Sequence, residues 1–315
     1  MVSQALNGKA FEYAFLLSMK RELDKITNVT IISSKQLETA KEAYDTYPSK
    51  EDLDRAANAG IKVIYKLEPN LHHGSSPLSL TIQEDAKGRE GDVRDIVAIR
   101  GENYWEVGIS CKHNHGAVKH SRLSGTIDIG KAWFGYNSSE EYFKEVKQLF
   151  DELEVLRSEG WKWRDIEDKV DRYYVPVLNA FMDELKRLDN LYPDEIPNRL
   201  ISYLLGKNDF YKAIAKTKQG NTTIQGFNIY GSLNKISSDG KKPQLKTPKV
   251  KLPSRFYDIS FKPKSKTTIL IACDEGWTIS CRIHSAATKV EKSLKLDVQL
   301  VGVPPSIHQH TESWT

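Results

Sequence analysis

Two short runs in the first third of the chain most narrow what it can fold into. Asp95-Ile-Val-Ala-Ile99 is apolar behind an opening carboxylate, and Trp105-Glu-Val-Gly-Ile-Ser-Cys-Lys112 follows it closely. Gly101-Glu102-Asn103-Tyr104 between them reads as the turn of a β-hairpin. With an even loop centred between Glu102 and Asn103, cross-strand partners have numbers that add to 205, so Asp95 faces Ser110 and Val93 faces Lys112. Side chains alternate along a strand, which puts Asp95, Ser110 and Lys112 on one face and Cys111 on the other. An acid and a lysine converging in this way are the minimal equipment of a metal-dependent phosphodiesterase. The carboxylate can hold Mg²⁺, and the ammonium can orient water and neutralise charge on phosphate. Asp92 competes for the acid's role, because a one-residue slip in the turn would exchange it with Asp95. Asp95 is preferred because the apolar run starts directly after it.

The rest of the chain supplies a setting for that hairpin. Residues 3–26 have helical apolar spacing, NVTII at 28–32 is strand-like, and helical patterns follow at 35–44 and 50–65, the latter behind Ser49 as a cap. A short strand at 79–82 precedes the hairpin. Residues 138–189 are strongly helical, and 196–206 and 209–217 continue that character. From Asn221 onward the pattern changes to short β-like runs (TTIQGFNIY, TTILIACD, WTISCRIH, LKLDVQLVGV) separated by turn residues. The expected architecture is α/β of the α+β kind: a core at 1–136 with the hairpin, a helical segment at 137–220, and a β-rich region at 221–315.

Charge matters here through its distribution. The formal net charge is only +4, yet residues 137–205 are acidic and residues 206–315 hold 18 Lys and Arg against 8 Asp and Glu. Segment 240–266 concentrates nine of those cations, Lys251 among them, with Phe256, Tyr257 and Phe261 interleaved, as a surface facing a polyanion would. No run is apolar enough to span a membrane, the first residues lack a signal-peptide layout, and three cysteines form no disulfide framework. A cytoplasmic protein with no membrane association is expected.

Three stretches carry a resemblance: GDVRDIVAI, WEVGISCKHNHGAVKHSRLS, and GWTISCRIHSAATKVEKSLKLDVQLVG. Asp95…Ser110-x-Lys112 resembles the PD-(D/E)xK nuclease signature, and the three stretches together, with the opening NGKAFEYAFLLS, resemble type II restriction endonucleases of the HaeIII group. The resemblance implies a restriction-endonuclease-like mixed-sheet core with flanking helices. It also implies Mg²⁺-dependent cleavage of double-stranded DNA at GGCC, cut centrally to blunt ends. The chain departs from the general signature in two ways. No proline precedes either candidate Asp, and Ser110 stands where a second acid is usual. Some restriction enzymes with a Ser-x-Lys version recruit that acid from elsewhere. Glu12 is the candidate here, since a carboxylate inside Ala10-Phe-Glu-Tyr-Ala-Phe-Leu-Leu17 needs a partner. Asp128 and Glu106 are weaker substitutes. The Cys111 carbonyl would add a backbone oxygen to the metal.

Lys112, His113, His115, Lys119, His120 and Arg122 form a dense cationic tract. A zinc site from Cys111, His113, His115 and His120 is disfavoured by strand alternation and by the lack of a CxxC or HxxxH pair. Grip on phosphates is favoured, with Lys119 and His120 foremost. Thr278, Ser280, Arg282 and His284 alternate on one strand face, and arginine to guanine is the commonest specific base contact. Tyr211 and Lys212 are further DNA-contact candidates. A palindromic target suits a homodimer, and the host would need a cognate DNA methyltransferase. Alternatives are a structure-specific repair or resolvase nuclease with the same core, and a DNA-binding protein that has lost catalysis.

Overall fold

The computed structural model describes residues 4–315 apart from 75, 85–86, 88–90, 102–104, 115 and 286, and only the backbone at 4, 5, 117 and 120. The hairpin turn at 102–104 and His115 therefore lie outside the described residues. Contacts group the chain into two units, each assembled from separated segments: Met1–Gly116, Gly206–Lys251 and Pro305–Thr315 in one, Ala117–Leu205 and Leu252–Pro304 in the other. These units cross the sequence boundaries expected at 136 and 220.

The first unit is built on a seven-stranded mixed sheet. Its strands are β1 (Val29–Ile31), β2 (Leu78–Ile82), β3 (Ile96–Arg100), β4 (Trp105–His113), β6 (Phe210–Lys216), β7 (Asn221–Phe227) and β12 (His308–Ser313), hydrogen-bonded in that order. β1 runs parallel to β2 and β4 parallel to β6, while the other neighbours are antiparallel. The β3–β4 register pairs Ile96 with Ile109 and Arg100 with Trp105, the alignment that an even turn centred after Glu102 requires. Helices α1 (Gln4–Leu23), α2 (Lys35–Asp45) and α3 (Lys50–Leu67) belong to this unit. Phe11 and Phe15 of α1 and Ile61 and Ile64 of α3 share one core with Ile109, Cys111, Tyr211, Ala213 and Ile224. Each large side chain so buried contributes about 1.5–3 kcal/mol. Ser34 caps α2 through the Leu37 amide, whereas Ser49 turns its hydroxyl to Asp52 and leaves the α3 amides uncapped by its side chain.

β6 is where the fold departs from expectation, because 209–217 read as helical. Ala213, Ala215 and the lysines favour helix as an isolated segment, but a slot between β4 and β7 offers the backbone a full set of ladder partners. That placement sets alternate residues on opposite faces: Tyr211, Ala213 and Ala215 join the core, and Lys212 takes the other side. Gly206, just before it, has φ +86°, and a Cβ there would fall 2.3 Å from the Gly91 carbonyl oxygen, so only glycine fits.

The second unit contains an antiparallel five-stranded sheet in the order β5 (Ala117–Leu123), β11 (Leu294–Leu300), β10 (Thr278–His284), β9 (Thr268–Cys273) and β8 (Phe256–Phe261). It also holds α4 (Glu140–Ser158), α5 (Val175–Leu191) and α6 (Ile196–Leu205). One sheet face is apolar, with Ile269, Ile271, Ile279, Cys281, Ile283, Leu296 and Val298 buried, and the other is polar. Among the described residues no helix is long and apolar enough to cross a membrane.

Candidate active site

Asp95 stands just before β3 and continues its ladder, its amide donating to the Ile109 carbonyl at 2.9 Å. This places its side chain beside Ser110 and Lys112, on the face that alternation requires. Its Oδ2 accepts from the Ser110 hydroxyl at 3.1 Å, from the Cys111 amide at 2.7 Å and from Lys112 Nζ at 3.2 Å. The Cys111 side chain points the opposite way, into the core, where burial raises its thiol pKa far beyond the usual range.

Glu12 joins this group from α1. It is 7% exposed. Burial first, and then the nearby charge of Asp95, push its carboxyl up to about 7, against the pull of Lys9 and Lys112. Its buried Oε2 lies 3.4 Å from Lys9 Nζ and has no other hydrogen-bond partner among the described residues. A carboxylate with spare lone pairs, held near a second carboxylate, is a donor set that suits a hard divalent cation. Burial alone would lower the Lys112 pKa, but Asp95 and Glu12 outweigh it and raise it, which keeps the side chain an ammonium. Among the described residues no group of three or more His, Cys, Asp or Glu side chains converges as a metal cluster. The acids brought together here are two, Asp95 and Glu12.

Asp92 is committed elsewhere. Its carboxylate takes a fork from Arg94, with Nε to Oδ1 and Nη2 to Oδ2 both at 2.8 Å, and a third bond from Gln83 at 2.9 Å. Burial alone would raise its pKa, but these bonds prevail and lower it. Arg94 also reaches Glu106 at 2.5 Å, which uses up that weaker substitute. Gly108 makes room for the arginine, since a Cβ there would fall 1.9 Å from Arg94 Cδ. Asp128 accepts from the Lys131 and Ser138 amides, so its role is local.

The DNA-contact candidates divide sharply. Tyr211, expected at a DNA surface, is instead fully buried and donates its hydroxyl to Glu68 at 2.7 Å. His113 is likewise corrected: it is 7% exposed and lies against Tyr47 and Phe11, because strand alternation puts it on the core side with Cys111. Burial lowers its pKa. Lys119 turns onto α6, with Nζ 3.0 Å from the Tyr203 carbonyl oxygen and 3.6 Å from that ring's centre, and burial pulls its pKa down to about 8. Arg122 is exposed but held by Glu291 and Ser293. His120 pairs with Asp297 in the β5–β11 register. Arg282 and Lys251 are exposed and His284 is half-buried.

Lys212, expected as a DNA contact, instead stands in the sheet beside the hairpin. It is cross-strand to Ser110 and 3% exposed, and Nζ donates to the Gly116 carbonyl at 2.7 Å. Burial, and then the charge of Lys112, bring its pKa down to about 7. The missed signal was alternation: had FYKAIAK been read as a strand beside β4, Lys212 would have fallen on the face of Lys112.

Comparison with known proteins identifies the family. The model of the HaeIII restriction endonuclease family matches residues 8–304. The type II restriction enzyme HaeIII of Haemophilus aegyptius is 41% identical over 303 residues, which cover 96% of this chain and 95% of that protein. No solved structure matches. The chain belongs to the HaeIII restriction endonuclease family and is a type II site-specific deoxyribonuclease.

Proposed function

We propose that the chain hydrolyses double-stranded DNA at GGCC, cutting centrally to blunt ends, with Asp95, Lys112, Ser110 and Glu12 as its catalytic group and Mg²⁺ as cofactor. The observation that carries the reading is Asp95 Oδ2, which gathers Ser110, the Cys111 amide and Lys112 at one point beside the buried Glu12. Asp95, Glu12 and the Cys111 carbonyl would hold the ion. When bound, it supplies Lewis-acid polarisation of the phosphate and acidification of a water.

The side chains have separable tasks. Lys112, within hydrogen-bond distance of Asp95 Oδ2, would orient the attacking water and neutralise charge on the phosphate. Ser110 and the Cys111 amide fix the Asp95 rotamer by hydrogen bonding to Oδ2, so that Oδ1 would be the oxygen offered to the ion. Glu12 supplies the carboxylate that Ser110 replaces on the hairpin, delivered from a helix instead of a strand. Arg282, His284, Lys251 and Arg122 are proposed to meet DNA, and a homodimer would match a two-fold symmetric site. The host cell would carry a cognate DNA methyltransferase.

Lys112→Ala tests this reading. The variant should bind GGCC duplex with near-normal affinity and leave plasmid DNA uncut. Undiminished cutting would remove Lys112 from the mechanism. Discrete fragments from wild type on long duplex DNA would exclude a structure-specific repair nuclease, and any metal-dependent cutting would exclude an inactive binding protein.

A further inference from the structure

The polar face of the second unit's sheet has a composition unlike a merely solvated one. A cavity of about 410 Å³ lies on it, lined by Thr268 of β9, Ser280 and Arg282 of β10, Asp297 and Gln299 of β11, and the β8–β9 turn. Pro263 is its one apolar lining residue, so the cavity fits a hydrogen-bonding edge rather than an apolar ligand. Register fixes the arrangement: Arg282 stands opposite Asp297 on one side and Thr268 on the other, and Ser280 opposite Gln299. Arg282 is exposed and has no side-chain partner among the described residues. Gln299 Nε2 donates to Asp297 Oδ2 at 3.1 Å, which orients both side chains.

We propose that this cavity is the base-reading site, taking the major-groove edge of a G·C pair with Arg282 on guanine and Asp297 on the paired cytosine, and the exposed Lys262 and Lys264 on flanking phosphates. The inference rests on the GGCC reading above. A G·C pair shows two acceptors on guanine, N7 and O6, beside the cytosine N4 donor. A fork of donors next to an oriented carboxylate is its complement. An A·T pair, with one acceptor and one donor on adenine, would meet Arg282 with its N6 donor facing donors. The turn contributes position: the amide of Lys262 donates to the Thr268 carbonyl and that of Ser265 to the Lys262 carbonyl, both at 2.9 Å, and Lys264 takes φ 64° at its tip. The turn thereby holds two cations at the rim of the polar face. An antiparallel strand pair such as β10–β11 is a shape the major groove admits.

A base-by-residue cycle tests the site. Each guanine of the site is replaced in turn by 7-deazaguanine, which lacks the N7 acceptor, and cleavage is compared between wild type and Arg282→Ala. At one guanine, wild type should lose ~10–100-fold in kcat/KM, as should Arg282→Ala on the unmodified duplex, and the combination should cost no more than either alone. Arg282→Ala and Asp297→Asn should weaken the GGCC duplex ~10-fold more than an unrelated duplex, while Lys262→Ala with Lys264→Ala should weaken every duplex alike and lower the salt slope by about 2. Losses that multiply at every guanine, or equal weakening of unrelated DNA by Arg282→Ala, overturn the proposal. The unmodified duplex isolates failure of the GGCC reading: if wild type cuts elsewhere, the cycle is run on the sequenced site, and a site without a G·C pair also overturns the proposal.

Discussion

Glu12 should make the protein less stable so that it can work. A free glutamate titrates near 4.5, whereas burial and the neighbouring Asp95 push Glu12 up to about 7. A raised carboxyl pKa means that stability is complete below 4.5 and is lost as pH rises through 7. At about 1.4 kcal/mol for each pH unit, ionising Glu12 in the metal-free fold at pH 8 costs at most about 3 kcal/mol. Glu12→Gln removes that charge at similar volume. In urea unfolding with EDTA, the variant should match wild type near pH 4.5 and exceed it by up to about 3 kcal/mol at pH 8. Adding Mg²⁺ should then reverse the order of benefit. Wild type should gain about 2.7 kcal/mol at a hundred times its dissociation constant, the variant much less, and the variant should not cut DNA. Wild-type stability that is flat from pH 5 to 8 in EDTA would refute the electrostatic reasoning. Normal cleavage by Glu12→Gln would remove Glu12 from the metal site.

Two other substitutions separate structure from chemistry. Asp92→Ala leaves Arg94, only 8% exposed, with Glu106 as its remaining acid and should cost about 2 kcal/mol for the lost charged hydrogen bonds; its cleavage per folded molecule should persist, and abolished cleavage at unchanged stability would move the metal role from Asp95 to Asp92. Tyr211→Phe removes the hydroxyl that donates to Glu68 and should cost about 1 kcal/mol; the salt dependence of DNA binding should not change, and a smaller slope would place Tyr211 at the DNA after all.

The hairpin proposed to be catalytic was legible because its constraints are local. An even turn fixes the register, and period two then assigns faces, so Asp95, Ser110 and Lys112 could be grouped without knowing any other strand. β6 was not legible, because a central strand takes its hydrogen bonds from β4 and β7, which lie far away in sequence, and the helix preference of Ala213 and Ala215 says nothing about those partners. The misplacement of Tyr211 and Lys212 follows from that one error. Lys119 and His113 were read by charge, but each is turned by strand parity: Lys119 toward Tyr203, His113 toward Tyr47. Arg94 was missed as a structural residue because its partner fork depends on the absent side chain at Gly108, which only the three-dimensional crossing makes visible.

Asp95 is the proposed anchor of a metal-dependent centre for cleavage at one short sequence. Purified wild type and Asp95→Asn are incubated with a long duplex DNA, with Mg²⁺ or with EDTA, and the fragment ends are sequenced. Wild type with Mg²⁺ should give discrete fragments that end bluntly between GG and CC, and nothing with EDTA. Asp95→Asn should bind the same DNA and leave it whole. The same fragments from Asp95→Asn, or from wild type in EDTA, would show that cleavage needs neither this carboxylate nor the metal.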